Sequence, residues 1–178
     1  MEPQSQSAAS AGRLSARPDR LTAVLFTDVV DSTTAAVRLG DAAWATLLER
    51  HNAIVREAVR EHGGAEMDTA GDGLFAVFDD AADALRCARV VREALAPLGL
   101  VLRAGVHAGH CWTADGKCAG ADVHIGARLA EEAKPREILA SEEAAALAAP
   151  AGMRFVDAGV VRLKGFTKPR RMFALTSG

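Results

Sequence analysis

Two carboxylates in this chain stand where apolar segments run out. Asp28 follows the run Ala23-Val24-Leu25-Phe26, and Asp72 lies in Gly71-Asp72-Gly73, ahead of Leu74-Phe75-Ala76-Val77-Phe78. A carboxylate at the end of a buried strand, with a helix starting next to it, suits a metal ion and a polyphosphate. The helix N-terminus offers free N–H groups and the positive end of its dipole. Ser32, Thr33 and Thr34 come directly after Asp28 and are favourable N-cap types. Asp28 and Asp72 suit two Mg²⁺ ions if their strands are neighbours, because Mg²⁺ binds few carboxylates together with substrate phosphates. Plainer readings stay open for both. Asp28 reads equally as a loop residue ahead of a helix, and Asp72-Gly73 as a common hairpin turn.

The elements that must position these groups follow from periodicity. The continuous apolar run 23–26 predicts a strand buried on both faces. Residues 41–62 predict a helix: Trp44, Leu47, Leu48, His51, Val55, Ala58 and Val59 recur at three or four residues, and Gly63-Gly64 stops it. Residues 66–78 predict two short strands joined by a tight turn at Gly71-Asp72-Gly73. A helix over 80–96 carries Ala81, Leu85, Ala88, Val91 and Leu95 inward. Then come a strand over 100–107, a Gly-containing loop over 114–120 and a helix near 122–133. A strand over 137–140, a helix over 141–148 and strands over 153–163 and 171–175 follow. The order predicts an α+β fold, an α/β sandwich with a ferredoxin-like βααββαβ core and a small C-terminal α/β extension. Its sheet is expected to be antiparallel, with helices on one face. Residues 1–20, rich in Ser, Ala, Arg and Pro, read as a disordered tail, which leaves 21–178 as one domain.

Bulk properties narrow the partners. A chain of 178 residues suits one domain that needs no disulfide staples. The net charge of −2 gives no general nucleic-acid or anionic-membrane surface. Aromatic residues make up 4% and Tyr is missing, which argues against base-stacking platforms. Cys87, Cys111 and Cys118 form no Cys-x-x-Cys motif and read as reduced thiols. With no long apolar run and no signal peptide, the expectation is a cytoplasmic protein without membrane contact. His51, His62, His107 and His110 show no ligand clustering and read as packing or surface residues.

Five blocks occur in order: Phe26-Thr27-Asp28-Val29-Val30-Asp31-Ser32-Thr33, Thr69-Ala70-Gly71-Asp72-Gly73, Arg103-Ala104-Gly105-Val106-His107-Ala108-Gly109, Val123-His124-Ile125-Gly126-Ala127-Arg128 and Leu163-Lys164-Gly165. In order and spacing they resemble the class III adenylate/guanylate cyclase catalytic domain of bacterial type. The resemblance implies conversion of a purine nucleoside triphosphate to a 3′,5′-cyclic nucleotide. Asp28 and Asp72 match the aspartates that hold two divalent ions, Mg²⁺ or Mn²⁺, and Val29 matches a position whose carbonyl also reaches a metal. The backbone N–H groups of Val30, Asp31, Ser32 and Thr33 match a phosphate cradle. Arg103 and Lys164 match cations that bind the triphosphate, and Arg128 matches the arginine that stabilises the transition state. Alone, Arg103 and Lys164 would read as strand-edge charges facing water, and Arg128 as an exposed helix residue. The resemblance further implies a head-to-tail homodimer whose site takes residues from both subunits.

Three positions depart from the pattern. Adenylate cyclases usually carry Lys four residues before the second metal aspartate, where Asp68 stands here. They usually carry Asp about seven residues before the Asn of Asn-x-x-x-Arg, where Lys117 stands; the Asn position itself is His124. The pair that reads the adenine edge is thus charge-swapped, unless Asp68 and Lys117 simply pair with each other. Bacterial members being mostly adenylate cyclases, the resemblance implies ATP as substrate. GTP is the alternative, because a carboxylate at 68 suits the guanine N–H groups. A third reading is a weakly active or inactive domain that binds nucleotide or dimerises.

Overall fold

A computed structural model describes residues 21–114 and 117–176. The expected tail over 1–20 lies outside the described residues. The chain runs β1 (Leu21–Val29), α1 (Ser32–Leu39), α2 (Asp41–Glu61), β2 (Ala65–Ala70), β3 (Gly73–Phe78), α3 (Ala81–Leu95) and β4 (Leu102–His110). It continues through β5 (Trp112–Ala114), β6 (Lys117–Ala119), α4 (Ala121–Glu132), β7 (Ile138–Ser141), α5 (Glu142–Ala148), β8 (Phe155–Val161) and β9 (Arg170–Leu175). The βααββαβ order and the α+β class are as expected. The segment expected as a loop over 114–120 holds instead the β5–β6 hairpin, with Thr113 opposite Cys118.

Seven strands form one sheet in the order β2-β3-β1-β4-β7-β9-β8. The sheet is mixed rather than antiparallel, because β4 and β7 pair in parallel. A parallel pair needs a crossover connection, and α4 lies in it. Helices therefore cover both faces, not one. Ala23 and Leu25 of β1 share a core with residues of α2, α3 and α5. Val24 and Phe26 point the other way and pack with Val77 and Val123. This two-sided burial explains the unbroken apolar run in β1.

Strand β4 shows how α4 is seated. Leu102, Ala104 and Val106 alternate into the α3 side. Gly105 lies under α4, where a Cβ atom would come within 3.0 Å of Ala130 N, Gly126 O and Leu129 C. Those atoms are helix backbone and cannot yield as a flexible side chain does. Gly105→Ala is therefore expected to cost about 1–3 kcal/mol as overpacking. For a chain of this size that lowers Tm by about 2–4 °C per kcal/mol. A thermal melt checks this, and an unchanged Tm would mean that α4 does not rest on β4.

Candidate active site

β1 lies between β3 and β4, and this strand order brings the acidic residues together. Asp28 stands directly opposite Arg103 in the antiparallel β1–β4 ladder. Arg103 donates to Asp28 Oδ2 from Nε at 2.9 Å and from Nη2 at 2.6 Å, and its Nη1 donates to the Glu131 carbonyl at 3.2 Å. On the other side, β3 follows the β2–β3 turn, where Gly71 takes φ +64°. That turn sets Asp72 beside the end of β1, and the Val29 N–H donates to Asp72 Oδ2 at 3.3 Å. Asp28 ends β1 and Asp72 lies in the turn that leads into β3, the neighbour of β1.

The Asp28–Arg103 pair is partly exposed, with side-chain accessibilities of 39% and 32%. Pairs this wet hold by about 0–1 kcal/mol, so another cation or an anion displaces either partner at little cost. Asp28 already holds a positive group, and its oxygens are the hard donors that Mg²⁺ and Mn²⁺ select. Among the described residues no group of three His, Cys, Asp or Glu side chains converges on one point. The residues present fit a divalent ion held by two carboxylates whose other positions fall to substrate oxygens and water.

Asp28 and Arg103 line a crevice of about 290 Å³ with Phe26, Thr27, Ala127, Ala130 and Glu131. A second cleft of about 160 Å³ shares Phe26 and Thr27 and is lined by Asp68, Gly73, Leu74 and Phe75. Phe26 and Phe75 stack at 4.5 Å between ring centroids and floor the smaller cleft, while Phe26 also lines the larger one. Asp68 stands opposite Phe75, just past an irregularity in the β2–β3 register. Asp68 thus opens onto the same sheet face as Asp28. A larger cleft of about 350 Å³, between α1, α2 and Leu98–Leu100, carries Arg38 and Arg50 but no carboxylate, so it lacks the chemistry of the smaller pair.

Val30 and Asp31 connect β1 to α1. Asp31 takes φ 56°, a left-handed conformation rare for a non-glycine residue, and its carbonyl accepts from Ala35 N at 3.0 Å. Asp31 itself is the N-cap residue, so Ser32 and Thr33 are the first helical residues rather than caps. No side chain caps the helix.

The other expected site residues do not line the crevice, although Arg128 reaches its wall through Glu131. Arg128 and His124 are four residues apart on α4, hence on one side of it. Arg128 pairs with the Glu131 carboxylate, three residues on. Lys164 is exposed on the β8–β9 connection. Its neighbour Leu163 is buried against Ile125 and Leu129 of α4, which fixes the turn that presents Lys164. Neither Arg128, His124 nor Lys164 lines the crevice at Asp28. The Lys117 backbone belongs to β6, and its side chain lies outside the description.

Glu131, Phe26 and Phe75 were missed by sequence reasoning. Glu131 holds both arginines, Arg103 through its carbonyl and Arg128 through its carboxylate; only its i,i+3 spacing from Arg128 signalled this. Phe26 and Phe75 form the floor, and nothing in their spacing announced the stack. His107 is a packing residue, as expected: it is buried, its Nδ1 lies 2.8 Å from Ser141 Oγ and its Nε2 3.3 Å from Asp122 Oδ1. Burial pushes its pKa down, against the pull of Asp122. The first turn of α4 is tied to the end of β4 by the His110 N–H, which donates to Asp122 Oδ2 at 2.7 Å.

Comparison with known proteins accords with this fold. The sequence profile of the adenylate and guanylate cyclase catalytic domain matches residues 15–177. A Rhizobium meliloti (strain 1021) protein provisionally named adenylate cyclase 3 is 26% identical over 159 residues, covering 84% of this chain. The chain spans 27% of that relative's length. The fold matches the adenylyl cyclase CyaB of P. aeruginosa with TM-score 0.82 and 22% identity, over 89% of this chain and 95% of that one. It also matches the guanylate cyclase domain of RhGC from Catenaria anguillulae, solved with GTP, with TM-score 0.78 and 17% identity, over 89% and 97%. The chain belongs to the adenylate and guanylate cyclase catalytic domain family. Among the described residues no helix is long and apolar enough to cross a membrane.

Proposed function

We propose that this chain converts ATP to 3′,5′-cyclic AMP and pyrophosphate in the cytoplasm, as a head-to-tail homodimer with two Mg²⁺ or Mn²⁺ ions per site. The observation that carries the reading is the convergence at the end of β1. Asp28 faces Arg103 across one ladder while Val29 N–H bonds Asp72 from the other side. Asp28, Asp72 and the Val29 carbonyl would hold the ions. When bound, such ions lower the pKa of the ribose 3′-hydroxyl and neutralise triphosphate charge. Arg103 leaves Asp28 for the triphosphate, and the N–H groups of Val30, Asp31, Ser32 and Thr33 face the phosphates. Arg128, His124 and Lys164, none of which lines the crevice of its own chain, act on the partner's. Arg128 then supplies charge as the α-phosphorus becomes five-coordinate.

Base selection falls to Asp68 and Lys117. Asp68 opens onto the Phe26–Phe75 floor, a flat apolar surface suited to a purine. This observation also favours a second reading, GTP as substrate, because the Asp68 carboxylate only accepts hydrogen bonds and guanine offers N–H donors there. The test is turnover of ATP and of GTP with Mn²⁺ by wild type, Asp68→Lys, Lys117→Asp and the double variant. The double variant is expected to raise the ATP/GTP ratio of kcat/KM by about 5- to 150-fold, the worth of one hydrogen-bond mismatch of about 1–3 kcal/mol. Either single change should do worse, because it sets two like charges together. An equal ratio in wild type and double variant would take base reading away from the pair. Absence of cyclic product from both nucleotides would remove the enzyme reading.

A further inference from the structure

We propose that Cys111 and Cys118 form a dithiol site that a hydroperoxide converts to an intrachain disulfide, reversibly, at the base of the β5–β6 hairpin. The hairpin register places the two residues together. Trp112 pairs with Ala119 and Thr113 with Cys118, so Cys111, two residues before Thr113, is the diagonal neighbour of Cys118 on one hairpin face. Both belong to the small core formed by Val24, Val77 and Val123, where Cys111 is 4% exposed and Cys118 is half-buried. Both side chains turn into this one small core, and each thiol shifts the ionisation of the other.

The two sulfurs are unequal in the way a peroxide-reactive pair requires. Their contact holds the Cys118 thiol below its ordinary range and pushes Cys111 up, with burial adding to the rise. Cys118, the lower and more accessible thiol, is the nucleophile; Cys111 is the resolving partner. The Cys118 thiolate attacks one peroxide oxygen, the O–O bond breaks, and the other oxygen leaves as water or alcohol after taking a proton. Cys118 is then a sulfenic acid. Cys111 attacks its sulfur, the S–O bond breaks, and the hydroxyl leaves as water with the Cys111 proton. Two thiols are oxidised by two electrons and one hydroperoxide is reduced. Cys87 provides an internal contrast, since it is fully buried in the other core and burial pushes its thiol up to about 12.

The hairpin carries Lys117 and leads directly into α4, which bears His124 and Arg128. On the function proposed above, and resting on it, the bond would tune that catalytic helix.

The reduced full-length chain is treated with hydrogen peroxide, alkylated with N-ethylmaleimide and mapped by mass spectrometry. The expected result is loss of two alkylatable thiols, a cross-linked Cys111–Cys118 peptide, an unmodified Cys87, and full recovery with dithiothreitol. In Cys111→Ser, the sulfenic acid at Cys118 should persist and be trapped by dimedone. Retention of all three thiols, a disulfide between two chains on a non-reducing gel, or oxidation of Cys87 as fast as Cys118 would overturn the proposal. Mapping is done on the unmodified chain, so a variant that fails to fold leaves the test intact. The mass readout is independent of turnover, so a protein that makes no cyclic nucleotide still reports on the dithiol.

Discussion

Asp28→Ala and Asp72→Ala are each expected to lower ATP cyclisation by on the order of 10³-fold or more, with the fold retained. The effect is large because each variant removes one of the two carboxylates near the end of β1, and no further His, Cys, Asp or Glu side chain converges there among the described residues. The fold should survive because neither carboxylate is a core group. Asp28 is 39% exposed and its pair with Arg103 is worth about 0–1 kcal/mol. Asp72 accepts one long hydrogen bond at a turn. The measurements are initial rates with Mn²⁺ and ATP, alongside a thermal melt. Near-normal turnover by either variant would end the assignment of Asp28 and Asp72 as metal ligands. A collapsed melt would move the loss of rate to folding.

Mixing two dead proteins is expected to restore activity. Asp72→Ala lacks a metal carboxylate, and Arg128→Ala lacks the transition-state arginine. In a heterodimer of the two, one composite site carries both defects and the other carries neither, so up to one wild-type site returns per heterodimer. If one chain supplied the whole site, mixing would restore nothing. The prediction follows from the proposed division of the site between subunits, in which Arg128 serves the partner's crevice; it does not line the crevice at Asp28 in its own chain, although it pairs with Glu131, which does. Subunit exchange is verified by co-purification of differently tagged chains. Confirmed heterodimers without turnover would count against a shared site.

The size of these effects contrasts with the swap at Asp68 and Lys117. Metal ligands act on every turnover, whereas a base contact only divides one purine from another. Losing both metal-site variants would remove the catalytic reading, while an unaltered purine ratio would relocate only specificity.

Much of this was legible in the residues themselves. The apolar run 23–26, the three- and four-residue repeats of 41–62 and 80–96, and the turn at Gly71-Asp72-Gly73 specify local structure, because backbone geometry and side-chain period are properties of a short segment. The five ordered blocks carried the family, and with it the candidate roles of Asp28, Asp72, Arg103, Arg128 and Lys164. The alternation in Arg103-Ala104-Gly105-Val106-His107-Ala108-Gly109 already encoded two faces of one strand, although nothing local said which face α4 would cover.

Tertiary structure decided the rest, for one physical reason: strand order and register depend on contacts between residues far apart in the chain, which no periodicity records. Pairing of β1 with both β3 and β4 set Asp28 against Arg103, 75 residues away, and Asp72 against Val29, 43 residues away. The parallel β4–β7 pair placed α4 on the opposite face from α2 and α3, which replaced the expected one-sided antiparallel sheet. The hairpin register brought Cys111 to Cys118 where spacing alone suggested unrelated thiols. The sequence by itself determined which side chains are available for chemistry; the pairing of β1, β3 and β4 determined which of them meet.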